Sequence, residues 1–149
     1  MDIRYGGKWP ASALSNFAPH SFEVDGVYCA SMEGFLQSLK FEDSGLQQDI
    51  CAMDGLVAKK NGKNQDVIWK ATQRLWWKGL SYKRASPAFQ DLITQAYDAL
   101  SKNEGFCKAL RSTGTEQLTH SIGKTDPKDT CLTEAEFCAQ LVRIRNRLS

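Results

Sequence analysis

An amphipathic helix with both of its boundary signals intact constrains the fold of this chain more than any other feature. The segment is SPAFQDLITQAYDAL, residues 86–100. Ser86 offers an N-cap side chain, and Pro87 occupies the first helical position, where a missing backbone N–H costs nothing. The apolar residues that recur on one face are Phe89, Ile93, Ala96 and Leu100. The pattern therefore predicts a helix that buries this face and ends near Leu100.

The C-terminal segment, TEAEFCAQLVRIRNRLS, carries a second strong helix signature. Thr133 and Glu136 have the S/T-x-x-E spacing of a capping box, in which each side chain accepts a hydrogen bond from the other residue's backbone N–H. The apolar positions that follow are Phe137, Leu141, Ile144 and Leu148. Arginines occupy the last turns, where the negative end of the helix dipole favours positive charge. We interpret this segment as a helix docked on the core.

Shorter segments in the middle of the chain are also predicted to be helical. Asp54 is placed to cap GLVAKKNG, with Gly62 as its end. Asp66 is placed to begin DVIWKATQRLWWKG, with Gly79 beyond its end. EGFCKALRS is a further short candidate, and GTEQLTHSIG has the composition of a turn followed by a short strand.

The first thirty residues have a different character. HSFEVDGVYC alternates apolar and polar residues around Asp25 and Gly26, which predicts a β-hairpin. Ser31 then offers an N-cap for a helix that reaches about Phe41. With 149 residues and no linker or repeat, the chain is expected to form a single domain, residues 1–149. The predicted fold class is α+β, a helix-rich domain with a small N-terminal β-sheet.

Composition excludes some classes of protein and leaves others open. No apolar run approaches the roughly 20 residues of a membrane helix, and the N-terminus lacks the pattern of a secretory signal. Five scattered cysteines with no CxxC spacing predict reduced thiols in a cytoplasmic compartment. Residues 1–50 carry three Lys or Arg against seven Asp or Glu, whereas the rest carries sixteen against ten. The basic excess after residue 50 suits a phosphate-bearing ligand, and solvated helix faces explain it equally well.

The stretch SMEGFLQSLKF, residues 31–41, contains the most suggestive polar residues. Glu33, Gln37 and Lys40 are spaced i, i+4 and i+7, so they share one stripe of the predicted helix. The residues on the opposite face are Met32, Phe35 and Leu39. An acidic residue in the first turn is often only a favourable charge near the helix dipole. The alternative is that the stripe lines a pocket.

Familiar signatures of nucleotide-binding proteins and hydrolases are missing from the sequence. There is no P-loop, GxGxxG, GxSxG or HExxH motif. Two histidines and five dispersed cysteines do not have the spacing of a zinc site. We therefore expect no metal and no cofactor.

The front of the chain resembles the NADAR family of YbiA-like domains. LSNFAPHSFEVDG followed by SMEGFLQSLKF is similar to the family's loop, strand, turn and helix. The matching residues are Ser15, Asn16, Phe17, Asp25, Gly26, Glu33, Gln37, Lys40 and Phe41. The resemblance extends more loosely over most of the chain. It departs in the segment 121–132, before the last helix, and His120 stands where the family often has an acidic residue.

The resemblance implies a YbiA-like fold and N-glycosidase activity, the hydrolysis of a bond between ribose and nitrogen. The implied substrates are ADP-ribosylated bases or related ADP-ribose and nucleotide compounds, free or carried on nucleic acid. A second implied class is the aminopyrimidine ribosyl phosphates of riboflavin synthesis. The alternative is a binding module that holds ADP-ribose or a nucleotide without turnover. We expect a cytoplasmic location, in a bacterium or in a phage-infected host, with no membrane partner.

The resemblance also suggests roles for individual residues. Glu33 is the candidate base or charge stabiliser, and the dipole at the helix N-terminus is expected to keep it ionised. Asp126 is a candidate second acid, although it precedes a proline and suits a turn equally well. Gln37 is assigned to ribose hydroxyls, and Lys40 to a phosphate or to Glu33.

The remaining candidates are expected to bind the substrate. Ser15 belongs to the loop that resembles the family, and Asn16 offers both a donor and an acceptor to a base or a ribose. Phe17 and Trp77 are candidates for stacking on a base, although such residues are more often part of a core. His120 is either a ligand contact or a structural histidine.

Overall fold

The computed structural model describes residues 1–148, and helices dominate it. The helices are α1 (Ala11–Leu14), α2 (Met32–Ser38), α3 (Ser44–Ala52), α4 (Gly55–Lys63), α5 (Asp66–Thr72), α6 (Pro87–Leu100), α7 (Glu104–Ser112) and α8 (Glu134–Leu148). The strands are β1 (Phe22–Val24), β2 (Val27–Cys29), β3 (Arg74–Trp77) and β4 (Leu80–Lys83). They form two separate antiparallel hairpins, β1–β2 and β3–β4. The predicted α+β, helix-rich class is therefore confirmed.

The predicted N-terminal hairpin is present. Phe22 pairs with Cys29, and Val24 pairs with Val27 across the turn. Asp25 and Gly26 both have positive φ angles, 50° and 75°, which matches the right-handed twist of the two strands. The strand residues alternate between buried and exposed, so the hairpin adds one apolar face to the core.

The helix predicted from Asp66 to Gly79 is wrong in its second half. Helix α5 ends at Thr72, and β3 and β4 pair across a turn at Lys78 and Gly79, with φ angles of 49° and 84°. Leu75 is buried in the core, in the period-two pattern of a strand. A Lys-Gly pair that adopts two positive φ angles is the turn that closes a hairpin, and here it overrode the helical pattern.

The other helix signals are borne out, with some shifts of boundary. The Ser86 hydroxyl caps α6 by accepting from the Phe89 N–H at 3.2 Å. In α8 the Thr133 N–H donates to Glu136 Oε1 at 2.8 Å, and the Glu136 N–H donates to Thr133 Oγ1 at 3.1 Å. Helix α2 starts after Ser31 but ends at Ser38, earlier than predicted.

Three further differences lie elsewhere in the chain. Gly62 lies inside α4 instead of ending it. Helices α1 and α3 were not predicted. The strand expected within 114–123 is reduced to a single parallel bridge between Asp2 and Thr119.

Helix α2 is held on several sides. It packs against α3, α4, β2 and α6, and Phe35 and Leu39 are completely buried. The central helix α6 in turn contacts β1, β4 and α8. Because the apolar face of α2 is taken up by the core, its polar stripe is left to face the α4 side of the molecule. Across residues 1–148, no helix combines the length and the apolar character that a bilayer span requires.

Candidate active site

A cavity of about 810 Å³ lies beside the polar stripe of α2. Its wall combines the loop before β1, the helices α2 and α4, and the segment between His120 and α8. Seven of the predicted site residues line it: Ser15, Asn16, Phe17, Glu33, Gln37, Lys40 and His120. Residues far apart in sequence thus meet at one concave surface, which is the usual form of a ligand site.

Glu33 is fixed at the cavity wall by its backbone and by its side chain. Its N–H donates to the Asn16 carbonyl oxygen at 2.9 Å, which ties α2 to the preceding loop. Its carboxylate Oε1 accepts from Gln37 Nε2 at 3.1 Å. Burial raises the pKa of Glu33, although the Gln37 hydrogen bond and the charges of Lys59 and Lys40 oppose this. Burial therefore disfavours the charged form of this carboxyl, whereas the N-terminal dipole is expected to favour it.

Gln37 is buried behind Glu33. Its Nε2 is engaged by the carboxylate, while its Oε1 is buried with no hydrogen-bond partner in the part of the chain that the structure describes. That oxygen faces Gly62 on α4, where a Cβ atom would overlap it. The glycine therefore leaves room for the Gln37 amide between α2 and α4.

Lys40 has a partner of its own at the cavity. Its Nζ lies 2.6 Å from Asp66 Oδ1, and the Trp69 indole N–H donates to the same oxygen at 3.3 Å. Burial alone would raise the pKa of Asp66, but the hydrogen bond and charge of Lys40 lower it overall. Lys40 acts on Glu33 through its charge, and no direct hydrogen bond joins the two side chains among residues 1–148.

The loop before β1 contributes three neighbouring residues. The Ser15 hydroxyl accepts from the Phe17 N–H at 3.2 Å, so it shapes the loop. Asn16 Oδ1 accepts from the Tyr97 hydroxyl at 2.7 Å. The Phe17 ring lies 5.9 Å from the Tyr5 ring, and Lys59 Nζ lies 5.4 Å from the Phe17 centroid. An aromatic pair with a cation beside it suits a planar, electron-rich group.

His120 is oriented by the N-terminal segment. Its Nδ1 lies 2.7 Å from the Ile3 carbonyl oxygen, and its ring packs edge-on against Phe137 at 5.0 Å. A carbonyl only accepts hydrogen bonds, so Nδ1 carries a proton and Nε2 is an acceptor in the neutral ring. This side chain lines the cavity and also joins the two ends of the chain.

Trp77 and Asp126 do not line the cavity. Trp77 is 3% exposed, its indole N–H donates to Asp25 Oδ2 at 2.7 Å, and its ring packs on Phe35. Asp126 is exposed and accepts from the Lys128 N–H at 2.9 Å, the turn role that was its alternative. From the same divergent segment, residues 129–132 reach the cavity instead.

Basic side chains at the cavity were not identified from the sequence. They are Arg4, Lys59, Lys63 and Lys124. Lys59 and Lys63 are spaced i, i+4 on α4, so the helical period could have placed them on one face. The excess of basic residues after residue 50 indicated a positively charged surface but not where its lysines lie in the fold. Tyr97, which holds Asn16, was also missed, because its position marks it as an ordinary core residue.

The fold is that of a YbiA-like domain. The chain superposes on the NMR structure of the E. coli protein YbiA with a TM-score of 0.64 at 16% sequence identity, over 99% of this chain and 83% of that one. The resemblance to the NADAR family is thereby confirmed at the level of the fold.

The chain belongs to the family of bacteriophage protein GP30.3, whose model matches residues 8–146. A relative from Enterobacteria phage T4 is 40% identical over 152 residues, which is 99% of this chain and 98% of the relative. That relative is described as an uncharacterized 17.1 kDa protein in the Gp30-rIII intergenic region. Membership of the family therefore carries no activity with it.

Proposed function

We propose that this protein is a metal-independent hydrolase that cleaves the N-glycosidic bond to ribose in ADP-ribosylated bases or related ADP-ribose and nucleotide substrates. One observation carries the proposal: Glu33, a carboxyl with a raised pKa, lies at the wall of a cavity large enough for a nucleotide. A carboxylate with a raised pKa is a stronger base than an ordinary one, which suits it to taking a proton from water.

In the proposed reaction, Glu33 takes a proton from a water molecule as the water oxygen attacks the anomeric carbon of the ribose. The C–N bond breaks, and its electron pair leaves with the nitrogen of the base. The nitrogen takes up a proton from solvent and Glu33 returns its proton to solvent, so that one water is consumed and a free base and a free ribose hydroxyl are formed. The carboxylate also stabilises the positive charge that develops on the ribose carbon.

The other cavity residues suit the rest of such a substrate. Arg4, Lys59, Lys63 and Lys124 are positioned to attract phosphate groups, whether the ligand is free or carried on nucleic acid. Phe17 and Tyr5 offer an aromatic surface to a base. Lys40, already paired with Asp66, contributes mainly by its charge.

A second candidate function is a binding module that holds ADP-ribose or a nucleotide without turnover. The observation in its favour is that, among the described residues, no second carboxyl group is hydrogen-bonded to Glu33 or contributes to the shift of its pKa. The other acidic residues at the cavity are Asp66, which is paired with Lys40, and the exposed Asp129. A module of this kind would use the same cavity and release no product.

Product release separates the two candidates. The parent protein, Glu33→Gln and the control Glu23→Gln, a change at an exposed strand residue, are each incubated with four compounds. These are ADP-ribosylated guanine-containing DNA, NAD, ADP-ribose and a ribosylated aminopyrimidine phosphate, and free base and sugar are followed by mass spectrometry. Release by the parent and the control but not by Glu33→Gln supports the hydrolase. A rise in melting temperature without product supports the binding module.

A further inference from the structure

Tyr97 lies outside the cavity but touches one of its lining residues. It is completely buried on α6, and its hydroxyl is 2.7 Å from Asn16 Oδ1. No other acceptor for this hydroxyl occurs in residues 1–148. Asn16 in turn joins the loop to α2 through its backbone carbonyl, which accepts from the Glu33 N–H. The pair therefore connects the central helix of the core to the neighbourhood of the candidate base.

The hydroxyl decides which way the Asn16 amide points. If the amide were reversed, Nδ2 would donate to the Tyr97 oxygen, and the Tyr97 O–H would be left buried with no acceptor. A buried unpaired donor costs on the order of 1–3 kcal/mol. The orientation in which Oδ1 accepts from Tyr97 is therefore strongly favoured, and Nδ2 is the amide atom left for another partner.

The free amide group is open to the cavity. No residue in the described chain accepts a hydrogen bond from Asn16 Nδ2. Gln37 Oε1 is the single buried side-chain polar atom without a partner in residues 1–148. Asn16 Nδ2 is consequently accessible, and Asn16 lines the cavity.

We infer that Tyr97 is a positioning residue that fixes Asn16 as a hydrogen-bond donor, so that the site selects ligands with an acceptor atom opposite Nδ2. Carbonyl oxygens, unprotonated ring nitrogens and ribose or phosphate oxygens meet this requirement. Groups that only donate, such as an exocyclic amine, do not. The choice of ADP-ribose as the probe rests on the proposed function, whereas the orientation of Asn16 does not.

The first test needs no ligand, and it uses a variant only to assign signals. In the parent protein, nuclear Overhauser effects are measured between the Asn16 side-chain amide protons and the Tyr97 ring protons, with Asn16→Asp used to assign the amide signals. The inferred orientation holds the amide protons away from the ring, so weak effects are expected. Strong effects would mean that Nδ2 faces Tyr97 and would overturn the inference, whether or not the protein is an enzyme.

The second test is a double-mutant cycle on ADP-ribose binding, measured by calorimetry. Tyr97→Phe and Asn16→Ala are each expected to weaken binding roughly tenfold, about one hydrogen bond. The double variant is expected to bind no more weakly than Asn16→Ala, because Tyr97 acts only through Asn16. Tyr82→Phe, at a partly buried tyrosine of β4 away from the cavity, is expected to bind as the parent does.

If the losses of binding free energy in the two single variants add up in the double variant, Tyr97 acts through the packing of the core. That result would overturn its role in positioning Asn16. If the parent does not bind ADP-ribose, the substrate class of the proposed function fails. The nuclear Overhauser pattern then still decides how Asn16 is held.

Discussion

The amide oxygen of Gln37 rests against the backbone of Gly62, at a distance that leaves no space for a side chain at position 62. This contact lies where α2 and α4 pack together at the cavity, and the same Gln37 side chain donates through Nε2 to Glu33, one turn earlier on α2. The sequence suggested that Gly62 ends a helix. In the structure its role is steric, because it provides room for the residue that holds the candidate base.

We expect Gly62→Ala to lower the free energy of unfolding by about 1–3 kcal/mol, because the new methyl group overlaps Gln37 in a packed region. If Gln37 is displaced, its hydrogen bond to the Glu33 carboxylate is lost, so any catalytic turnover should fall as well. Urea denaturation measures the first effect. Gly45→Ala is the control, since a Cβ there would meet only the side chain of Asp43. Equal stability of Gly62→Ala and the parent would contradict the close contact between Gln37 and Gly62.

The raised pKa of Glu33 has a consequence for stability. The folded protein keeps this proton to a higher pH than the unfolded chain, whose carboxyl titrates near the ordinary value of 4.5. The stabilisation is therefore complete below that pH and is lost as the pH rises through the folded pKa. Glu33→Gln removes this loss, so its stability relative to the parent should increase as the pH is raised above the ordinary carboxyl value of 4.5.

Thermal unfolding of both proteins across this pH range measures the difference. Glu23→Gln, at an exposed position of β1, should show no comparable trend. A difference between Glu33→Gln and the parent that stays constant with pH would mean that Glu33 is not held in a setting that disfavours its charge.

Most of the helices and the first hairpin were predictable because their signals are local. Ser31, Ser86 and Thr133 cap helices with their own side chains, and Asp25-Gly26 closes a turn between adjacent strands. Such features need only a few neighbouring residues. The second hairpin was missed because its apolar residues fit a helical period and a strand period equally well, and pairing with β4 decided between them.

The candidate site was predictable only where it is continuous in sequence. The loop of Asn16 and the stripe of Glu33 lie within one short region, and both reach the cavity. Arg4, Lys59 and residues 129–132 complete the wall from distant parts of the chain, and their meeting depends on tertiary packing. The same packing raises the pKa of Glu33 by burial, an effect that helix-dipole reasoning alone does not include.

The basic residues of α4 offer a test with an internal control. We expect Lys59→Ala and Lys63→Ala each to weaken binding of a phosphate-bearing ligand such as ADP-ribose by roughly three- to tenfold at low salt. Lys60→Ala removes the same charge from the same helix, but at an exposed residue that does not line the cavity. Calorimetry at two salt concentrations should show the losses shrinking as salt rises. If the three variants weaken binding equally, the lysines attract the ligand by general electrostatics and do not form a defined phosphate subsite.

The last prediction concerns Arg84, which is 2% exposed and has its charge paired inside the fold. Its guanidinium donates to both carboxylate oxygens of Glu136, at 2.6 and 3.2 Å, and its Nε donates to the Thr130 carbonyl at 2.8 Å. Thr130 belongs to the cavity wall, so this network ties the divergent segment to α8. Lysine has no planar fork with which to replace these contacts.

We expect Arg84→Lys to destabilise the protein by about 2 kcal/mol, and Glu136→Ala to cost about 3–5 kcal/mol, because it leaves a buried charge unpaired and removes the α8 capping box. Arg143→Lys changes a more exposed pair with Asp98 and should cost less than about 1 kcal/mol. Denaturant unfolding at neutral pH ranks the three variants. If Arg84→Lys is as mild as Arg143→Lys, the bidentate pair does not anchor the segment, and the cavity wall must be held by its remaining contacts.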